Sequence, residues 1–232
     1  MTTFADVLRL LSTVQKPPTG VSLYTRFVNR PAGRVFAAVA YRIGATPNQV
    51  TVLSAVFTFP ALAAVALVPP GPGLSVGVCA ALALGFALDS ADGQLARSRR
   101  AGGPSGEWLD HVLDCVKVVC VHSAVLVALY RFFDLPSRAL LLAPLVFQLA
   151  AVLVFFVAIL TTKLSRPTPG AAPAPHSAVR SVLLLPVDYG VTCLGFLFLQ
   201  SQQLFLGVYC ALLVAHLVFL PAFLIRSFRR LC

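Results

Sequence analysis

Residues 88–114, LDSADGQLARSRRAGGPSGEWLDHVLD, gather acidic side chains around a glycine-rich turn in an otherwise apolar chain. Five of the eight acidic residues of the protein lie in this stretch: Asp89, Asp92, Glu107, Asp110 and Asp114. A carboxylate within an apolar run costs several kcal/mol unless it is paired, neutralised or bound to a cation. The cluster therefore indicates a functional site.

The chain around this stretch has the composition of an integral membrane protein. Of its 232 residues, 58% are hydrophobic and 11% are charged, whereas about a quarter of a soluble domain is charged. Six apolar runs reach or approach the roughly 20 residues that span a bilayer. They are residues 51–68, 74–88, 116–129, 139–160, 182–199 and 204–225. We therefore predict an all-α integral membrane protein with six transmembrane helices.

The residues before the first apolar run predict two segments of different character. Residues 1–21 are mixed in composition and include KPPTG, which is typical of a flexible cytoplasmic tail with a turn. Residues 22–45 combine apolar side chains with arginines in the pattern of an amphipathic interfacial helix, broken or bent near residues 31–33. Residues 46–228 then form the six-helix transmembrane domain, with Thr46 as the expected N-cap.

Basic residues fall on alternate connections between the predicted spans. They lie before the first span, after the second and fourth spans and at the C-terminus, whereas residues 69–73 and 200–203 carry none. By the positive-inside rule, both termini and the acidic stretch face the cytoplasm, and we expect a bacterial plasma membrane. The net charge of +10 then reflects topology and attraction to anionic membrane lipids, so no nucleic-acid partner is expected.

The aspartates form two pairs on two predicted helices. Asp89 and Asp92 are three residues apart, and Asp110 and Asp114 are four apart, so each pair shares one helix face. Counted from the centre of the turn SRRAGGPS, the two pairs reach similar depths in an antiparallel hairpin. Carboxylate oxygens at this density suit Mg²⁺ or Mn²⁺, and four of them can hold two ions. Two such ions are a standard arrangement for displacement at phosphorus.

Small, polar and basic residues near the aspartates suit a nucleotide. They are Gly93, Ala96, Arg97, Gly106, Asn48 and Thr51. The glycines and the alanine leave room for a ligand at the backbone, and the arginine can meet a phosphate with its planar guanidinium group. The asparagine and the threonine lie on one face of the first span, at the level of the aspartates. Each residue alone is equally compatible with ordinary helix packing in a membrane.

The spacing of these residues resembles a complete family signature. DxxDGxxAR at residues 89–97 and GxxxDxxxD at residues 106–114, separated by eight residues, resemble the motif of the CDP-alcohol phosphotransferase (phosphatidyltransferase) family. The resemblance implies that Asp89, Asp92, Asp110 and Asp114 bind two divalent cations against the pyrophosphate of a CDP-linked lipid. It also implies that Asp114 is the base that takes a proton from the acceptor hydroxyl. The expected CDP-binding residues are Asp92, Gly93, Ala96, Arg97, Asn48, Thr51 and Gly106.

The resemblance implies a reaction but leaves one substrate open. Members of this family transfer a phosphatidyl group from a CDP-linked lipid such as CDP-diacylglycerol to an acceptor hydroxyl, release CMP, and are commonly homodimers. Glycerol 3-phosphate, inositol phosphate, inositol, serine and phosphatidylglycerol all present a suitable hydroxyl. We favour a polyol or polyol phosphate, because three basic residues can hold an acceptor phosphate, although positive-inside placement explains them equally. They are Lys163, Arg166 and Arg180.

Two other functions compete with this interpretation. An intramembrane, magnesium-dependent prenyltransferase also uses acidic motifs, but its motifs belong to distant helices of a longer bundle. A non-enzymatic cation transporter can line its path with intramembrane acids, but it does not require Gly93, Ala96 and Arg97 at this spacing.

Several other polar residues receive structural interpretations. Lys117, three residues beyond Asp114, is expected to be an electrostatic partner or to extend to the membrane surface. His111 is expected to point away from the aspartates. The sequence identifies no partner for Asp188 in the fifth span.

Overall fold

The computed structural model describes residues 3–15, 20–100, 103–165 and 178–232. These residues contain nine α-helices in the following order. They are α1 (Phe4–Thr13), α2 (Arg30–Arg42), α3 (Pro47–Leu67), α4 (Pro72–Arg99), α5 (Pro104–Phe132), α6 (Leu142–Leu164), α7 (Ala178–Leu183), α8 (Tyr189–Gly195) and α9 (Gln202–Arg229). Shorter helical turns are π-helical Thr25–Asn29 and 3₁₀-helical Arg138–Leu141, Leu185–Val187 and Phe196–Phe198.

The long apolar helices confirm the prediction of an all-α integral membrane protein. Among the described residues, five helical segments are long and apolar enough to cross a membrane: α3, α4, α5, Arg138–Leu164 and α9. Two further apolar segments, Ala178–Val187 and Tyr189–Phe198, are bent by 49° relative to each other and make a sixth span when they are taken as one. The predicted fifth span is therefore broken, although its sequence predicts one continuous apolar run.

The break in the fifth span has a local cause. Pro186 lacks the N–H that a continuing helix needs, and its ring crowds the preceding turn. Asp188 then starts α8 as its N-cap, because its carboxylate accepts a hydrogen bond from the Gly190 N–H at 2.7 Å. The span consequently bends at Asp188.

The N-terminal segment differs from the expected flexible tail, because Phe4–Thr13 is the helix α1. A capping box starts it: the Thr3 side chain accepts from the Asp6 N–H, and the Asp6 carboxylate accepts from the Thr3 N–H. Val7 and Leu11, one turn apart, are buried against α2 and α4. Packing against those helices stabilises α1, although the mixed composition of this segment does not predict a helix. Most of the predicted KPPTG turn, residues 16–19, lies outside the described residues.

The segment predicted to be an interfacial helix is helical, as Thr25–Asn29 followed by α2, and its position at the membrane surface stays a prediction. Helix α2 continues through residues 31–33 without a break. The irregularity lies just before it, where Thr25–Asn29 is π-helical, since Pro31 cannot donate a hydrogen bond and its ring crowds the turn before it. Gly33 faces α4, where a Cβ would lie 2.8 Å from Ser90 Cβ. The glycine therefore permits a close approach of α2 to α4.

Helix α4 ends at Arg99 and α5 begins at Pro104, so the two helices that residues 88–114 predict are present, and we call this pair the hairpin. Helix α3 packs against both of them. Arg100 ends α4 in a left-handed conformation with φ 50°, and α5 begins after Gly103. Thr46 caps α3 as predicted, with Pro47 in its first turn. The start of α3 thus lies beside the acidic ends of α4 and α5.

Gly85 sets the distance between α3 and α4. Ser54 Oγ donates to the Gly85 carbonyl at 2.8 Å, and a Cβ at Gly85 would overlap Thr58 Oγ1. Helices in a membrane gain little from the hydrophobic effect between them, so close packing at small residues is an important source of their association. Gly85 therefore helps to hold α3 beside the hairpin.

We expect Gly85→Ala to lower the free energy of unfolding by about 1–3 kcal/mol, because the added methyl group forces α3 away from α4. Thermal unfolding in detergent measures this change. Gly77→Ala is the matched control on the same helix, since nothing lies within 4 Å of a Cβ at Gly77. A Gly85→Ala variant as stable as the Gly77→Ala variant would contradict this packing.

Candidate active site

A cavity of about 380 Å³ opens between α3, α4 and the start of α5. Its lining includes all seven residues that the sequence predicts to bind CDP: Asn48, Thr51, Asp92, Gly93, Ala96, Arg97 and Gly106. The remaining lining residues are Pro47, Gly103, Pro104, Glu107 and Asp110. The volume lies in the range of small-molecule sites. We call this space the nucleotide cavity, after the CDP group that the sequence predicts to bind there.

Two glycines keep the nucleotide cavity open. A Cβ at Gly106 would lie 3.1 Å from Asn48 Oδ1, and a Cβ at Gly93 would lie 3.2 Å from Arg97 Nη1. Both distances are shorter than ordinary van der Waals contact. A side chain at either position would therefore displace a polar group of the cavity wall.

Asp92 forms the buried floor of the nucleotide cavity and is 5% exposed. Thr51 Oγ1 donates to Asp92 Oδ2 at 2.6 Å, which fixes one oxygen of this carboxylate. Carboxylate oxygens of Asp89, Asp92 and Asp110 lie within 4.8 Å of one another. Three carboxylates from two helices thus meet at the floor.

Lys117 pairs with two of the four aspartates. It is 5% exposed, its Nζ contacts Asp89 Oδ1, and it lies 3.1 Å from Asp114 Oδ1. These three residues line a second cavity of about 140 Å³, whereas Asp92 and Asp110 line the nucleotide cavity. The other residues of the second cavity are Thr58, Phe86, Val118, Phe155 and Tyr189. The interpretation of Lys117 as an electrostatic partner is confirmed, and the four carboxylates do not share one open space.

His111 lies closer to the acidic residues than the sequence predicts. Its Nδ1 is 3.7 Å from Asp110 Oδ2, and its Nε2 is 3.6 Å from Glu107 Oε1. Ligand atoms of Asp110, His111 and Asp114 also lie within 4.8 Å of one another. The expectation that His111 points away from the aspartates is wrong, because its imidazole lies between Asp110 and Glu107, which is one turn earlier on α5.

The carboxylates fit a divalent metal. The two clusters, Asp89–Asp92–Asp110 and Asp110–His111–Asp114, share Asp110. Carboxylate oxygens are hard ligands of the kind that Mg²⁺ and Mn²⁺ prefer. Lys117 supplies one positive charge among four aspartates, so a cation would offset the charge that remains.

The predicted acceptor-binding residues do not form one group. Lys163 Nζ lies 2.7 Å from Glu107 Oε1, as an exposed ion pair at the rim of the nucleotide cavity. Arg166 lies outside the described residues. Arg180 lines a third cavity of about 570 Å³, to which α3, α4 and α5 contribute no residue.

The third cavity contains basic residues that the sequence did not single out. Arg30 and Arg226 line it together with Arg180. Burial, followed by the positive charge of Arg26, lowers the pKa of Arg30 from its ordinary value, so an anion in this cavity would be electrostatically favoured. Arg30, Arg180 and Arg226 belong to helices far apart in the chain. Their spacing in the sequence therefore could not show that they line one cavity.

Asp188, whose partner the sequence did not identify, lies at the edge of the third cavity. Its carboxylate accepts hydrogen bonds from Ser22 Oγ and, at 2.5 Å, from Thr25 Oγ1. Asp188 thereby connects the broken fifth span to the segment before α2.

A sequence model of the CDP-alcohol phosphatidyltransferase family matches residues 44–219. The chain belongs to this family. The matched range contains the nucleotide cavity and all four aspartates. Family membership confirms the predicted reaction class, transfer of a phosphatidyl group from a CDP-linked donor to an alcohol, over the prenyltransferase and transporter alternatives. Among curated proteins, no sequence matches this chain significantly.

The fold is similar to that of phosphatidylinositol phosphate synthase from Mycobacterium tuberculosis. Its structure with CDP-DAG bound is 21% identical in sequence, has a TM-score of 0.59, and the alignment covers 87% of this chain and 94% of that chain. Its structure in complex with manganese and citrate is 21% identical, has a TM-score of 0.54, and the alignment covers 84% of this chain and 87% of that chain. At this identity, the likeness shows a shared fold.

We expect Lys117→Met to lower stability by about 3–5 kcal/mol in the absence of divalent cations, because it leaves buried carboxylates without their partner. Mg²⁺ is expected to raise the melting temperature of this variant more than that of the wild type. Lys163→Met is the control, since an exposed ion pair contributes about 0–1 kcal/mol. Equal melting temperatures for the two variants without metal would contradict a role for Lys117 in balancing the aspartates.

Proposed function

We propose that this protein transfers the phosphatidyl group of a CDP-linked lipid such as CDP-diacylglycerol to a hydroxyl of a polyol or polyol phosphate, releasing CMP in phospholipid synthesis. The observation that carries the proposal is the nucleotide cavity, whose lining unites the seven expected CDP-binding residues with Asp110. The CDP-DAG bound to the mycobacterial relative supports a diacylglycerol-linked donor.

Within this proposal, the aspartates hold two divalent cations, Mg²⁺ or Mn²⁺. Asp89, Asp92, Asp110 and Asp114 are the residues proposed to hold them. Bound cations would supply positive charge to the phosphate oxygens of the donor. The manganese complex of the mycobacterial relative supports this choice of metal. The hydrogen bond from Thr51 fixes Asp92, and Lys117 holds Asp89 and Asp114 in place.

The nucleotide cavity is the proposed site for the CDP group. Arg97 would hold a phosphate with its planar fork, and Gly93, Ala96 and Gly106 leave space at the backbone. Asn48 offers amide hydrogen-bonding groups from α3 at the opposite wall. The acyl chains of the donor would remain in the bilayer beside the helices.

Asp114 is the proposed general base. It would accept the proton of the acceptor hydroxyl, so that the oxygen can attack the phosphorus of the donor while CMP leaves. Lys117, 3.1 Å away, stabilises the charged carboxylate until the proton arrives. Asp114 lines the second cavity, and its ligand atom lies within 4.8 Å of that of Asp110, which lines the nucleotide cavity.

The third cavity is the proposed site for an acceptor phosphate. Arg180, Arg30 and Arg226 offer guanidinium groups there, and such groups suit phosphate. The broken fifth span contributes to both this cavity and the second cavity, through Asp188 and Tyr189 respectively. We therefore propose that a phosphorylated polyol bound at Arg180 extends its hydroxyl toward Asp114. Lys163, paired with Glu107, and Arg166 remain weaker candidates for this role.

The orientation, location and assembly of the protein are also proposals. Alternating basic loops support a cytoplasmic active site, with both termini on that side of a bacterial plasma membrane. We propose a homodimer because members of the family are commonly homodimers. Labelling of Cys232 from either side of sealed vesicles tests the orientation, and the mass of the detergent-solubilised protein tests the dimer.

A panel of acceptors tests the reaction. We expect purified protein with CDP-diacylglycerol and Mg²⁺ or Mn²⁺ to release CMP, and EDTA to stop the release. Paired acceptors identify the role of the phosphate: glycerol 3-phosphate against glycerol, and inositol phosphate against inositol. Product mass identifies the acceptor. Turnover in EDTA would exclude the metal mechanism, and equal turnover of each pair would exclude a phosphate site at Arg180.

Asp114→Asn is expected to reduce CMP release by at least about 100-fold, since loss of a general base removes a factor of about 10²–10⁴. Asparagine keeps the size of the side chain, so the variant should fold. Asp134→Asn is the control, because Asp134 lies in the connection before α6, outside the three cavities described above. Wild-type CMP release by Asp114→Asn would remove Asp114 as the base.

A further inference from the structure

The N-terminal helix α1 lies outside the residues that match the family, yet it packs against the helices that form the active site. Val7 and Leu11 are 1% and 0% exposed and belong to an apolar cluster with residues of α2, α3 and α4. This packing brings the end of α1 to the last turns of α4, which carry Arg97.

The segment after α1 contacts Arg97 directly. The backbone carbonyl of Val14 accepts a hydrogen bond from Arg97 Nε at 2.9 Å. At the other end of the guanidinium, Nη1 lies beside Gly93 in the wall of the nucleotide cavity. A guanidinium group is planar and rigid, so a hydrogen bond to Nε restricts the directions of both Nη groups.

Gln15 fastens this segment to α4. Its Nε2 donates to the Leu11 carbonyl and to Gln94 Oε1, both at 2.7 Å. Gln94 is 1% exposed, and its own Nε2 donates to the Arg30 carbonyl at 3.1 Å. Since Gln94 and Arg97 are three residues apart on α4, they lie on neighbouring parts of one helix face. Gln15 is thus anchored next to the arginine that Val14 contacts.

We propose that Gln15 is a positioning residue for nucleotide binding, which holds the Val14 carbonyl against Arg97 and so orients the guanidinium toward a phosphate of the CDP group. The inference rests on the proposed function, in which Arg97 belongs to the CDP site. A side chain that is already ordered loses less entropy when the ligand binds. Gln15 therefore acts on affinity for the donor and leaves the chemical step unchanged.

Equilibrium binding of CDP in the presence of Mg²⁺ to the purified full-length protein tests this role. Gln15→Ala is expected to weaken CDP binding about fivefold, which corresponds to the loss of one hydrogen bond. Gln15→Asn, whose side chain is one methylene shorter, is expected to weaken CDP binding as well. It replaces Gln15→Ala in the test if that variant fails to fold. Ser12→Ala is the matched control on α1, since Ser12 Oγ donates to the Arg9 carbonyl on an exposed face. Its CDP affinity should equal that of the wild type.

A double-mutant cycle separates positioning from general loosening of the structure. In an Arg97→Lys background, which lacks the Nε–H contact with Val14, Gln15→Ala should weaken CDP binding less than about twofold further. In steady-state kinetics, Gln15→Ala should raise KM for the CDP-lipid about fivefold and leave kcat and the acceptor KM within about twofold.

The possible results distinguish the two proposals. Wild-type CDP affinity in Gln15→Ala, or an equal loss in both arginine and lysine backgrounds, overturns the role of Gln15 and leaves the proposed function intact. Failure of the wild-type protein to bind CDP overturns the proposed function together with the role of Gln15.

Discussion

The charge balance between Lys117 and the aspartates constrains the structure around it. Ionised carboxylates in an apolar bundle are costly unless a positive charge lies close to them. Lys117 meets Asp89 and Asp114 from within α5, so the registration of α4 against α5 must bring these three side chains together. Asp92 and Asp110 line the nucleotide cavity, and Asp110 lies close to carboxylates of both groups. One buried ammonium group thus links α5 to α4 at the centre of the acidic cluster.

Close helix contacts make that register rigid. The hydrophobic effect between helices is weak in lipid, so their association depends on the close contacts that small residues permit. Gly85 allows the Ser54 and Thr58 side chains to approach α4, and Gly33 allows α2 to lie against Ser90. These contacts carry no catalytic group. They nevertheless fix the start of α3, from which Thr51 reaches Asp92.

Local spacing predicted which residues line the nucleotide cavity, because residues three or four apart on a helix have little freedom in where they lie. Gly93, Ala96 and Arg97 share one wall for that reason. Contacts between distant segments were beyond such reasoning: Val14 and Arg97 are 83 residues apart, and Ser22 and Asp188 are 166 apart. The contact of the segment after α1 with α4 and the contact of Asp188 with its partners are both long-range. Each forms only when the whole chain packs.

The separation of the cavities has a consequence for the chemistry. Asp92 is fixed by Thr51 and faces the proposed nucleotide site, whereas Asp114 is held by Lys117 and faces a different space. Asp110 connects the two spaces, because it lines the nucleotide cavity and its ligand atom lies within 4.8 Å of that of Asp114. In the proposed mechanism, Asp114 would therefore accept its proton close to the phosphates of the donor, and the ammonium group of Lys117, 3.1 Å away, would offset the negative charge around it. Asp92 and Asp114 thus differ in their immediate partners, which suits the different roles proposed for them.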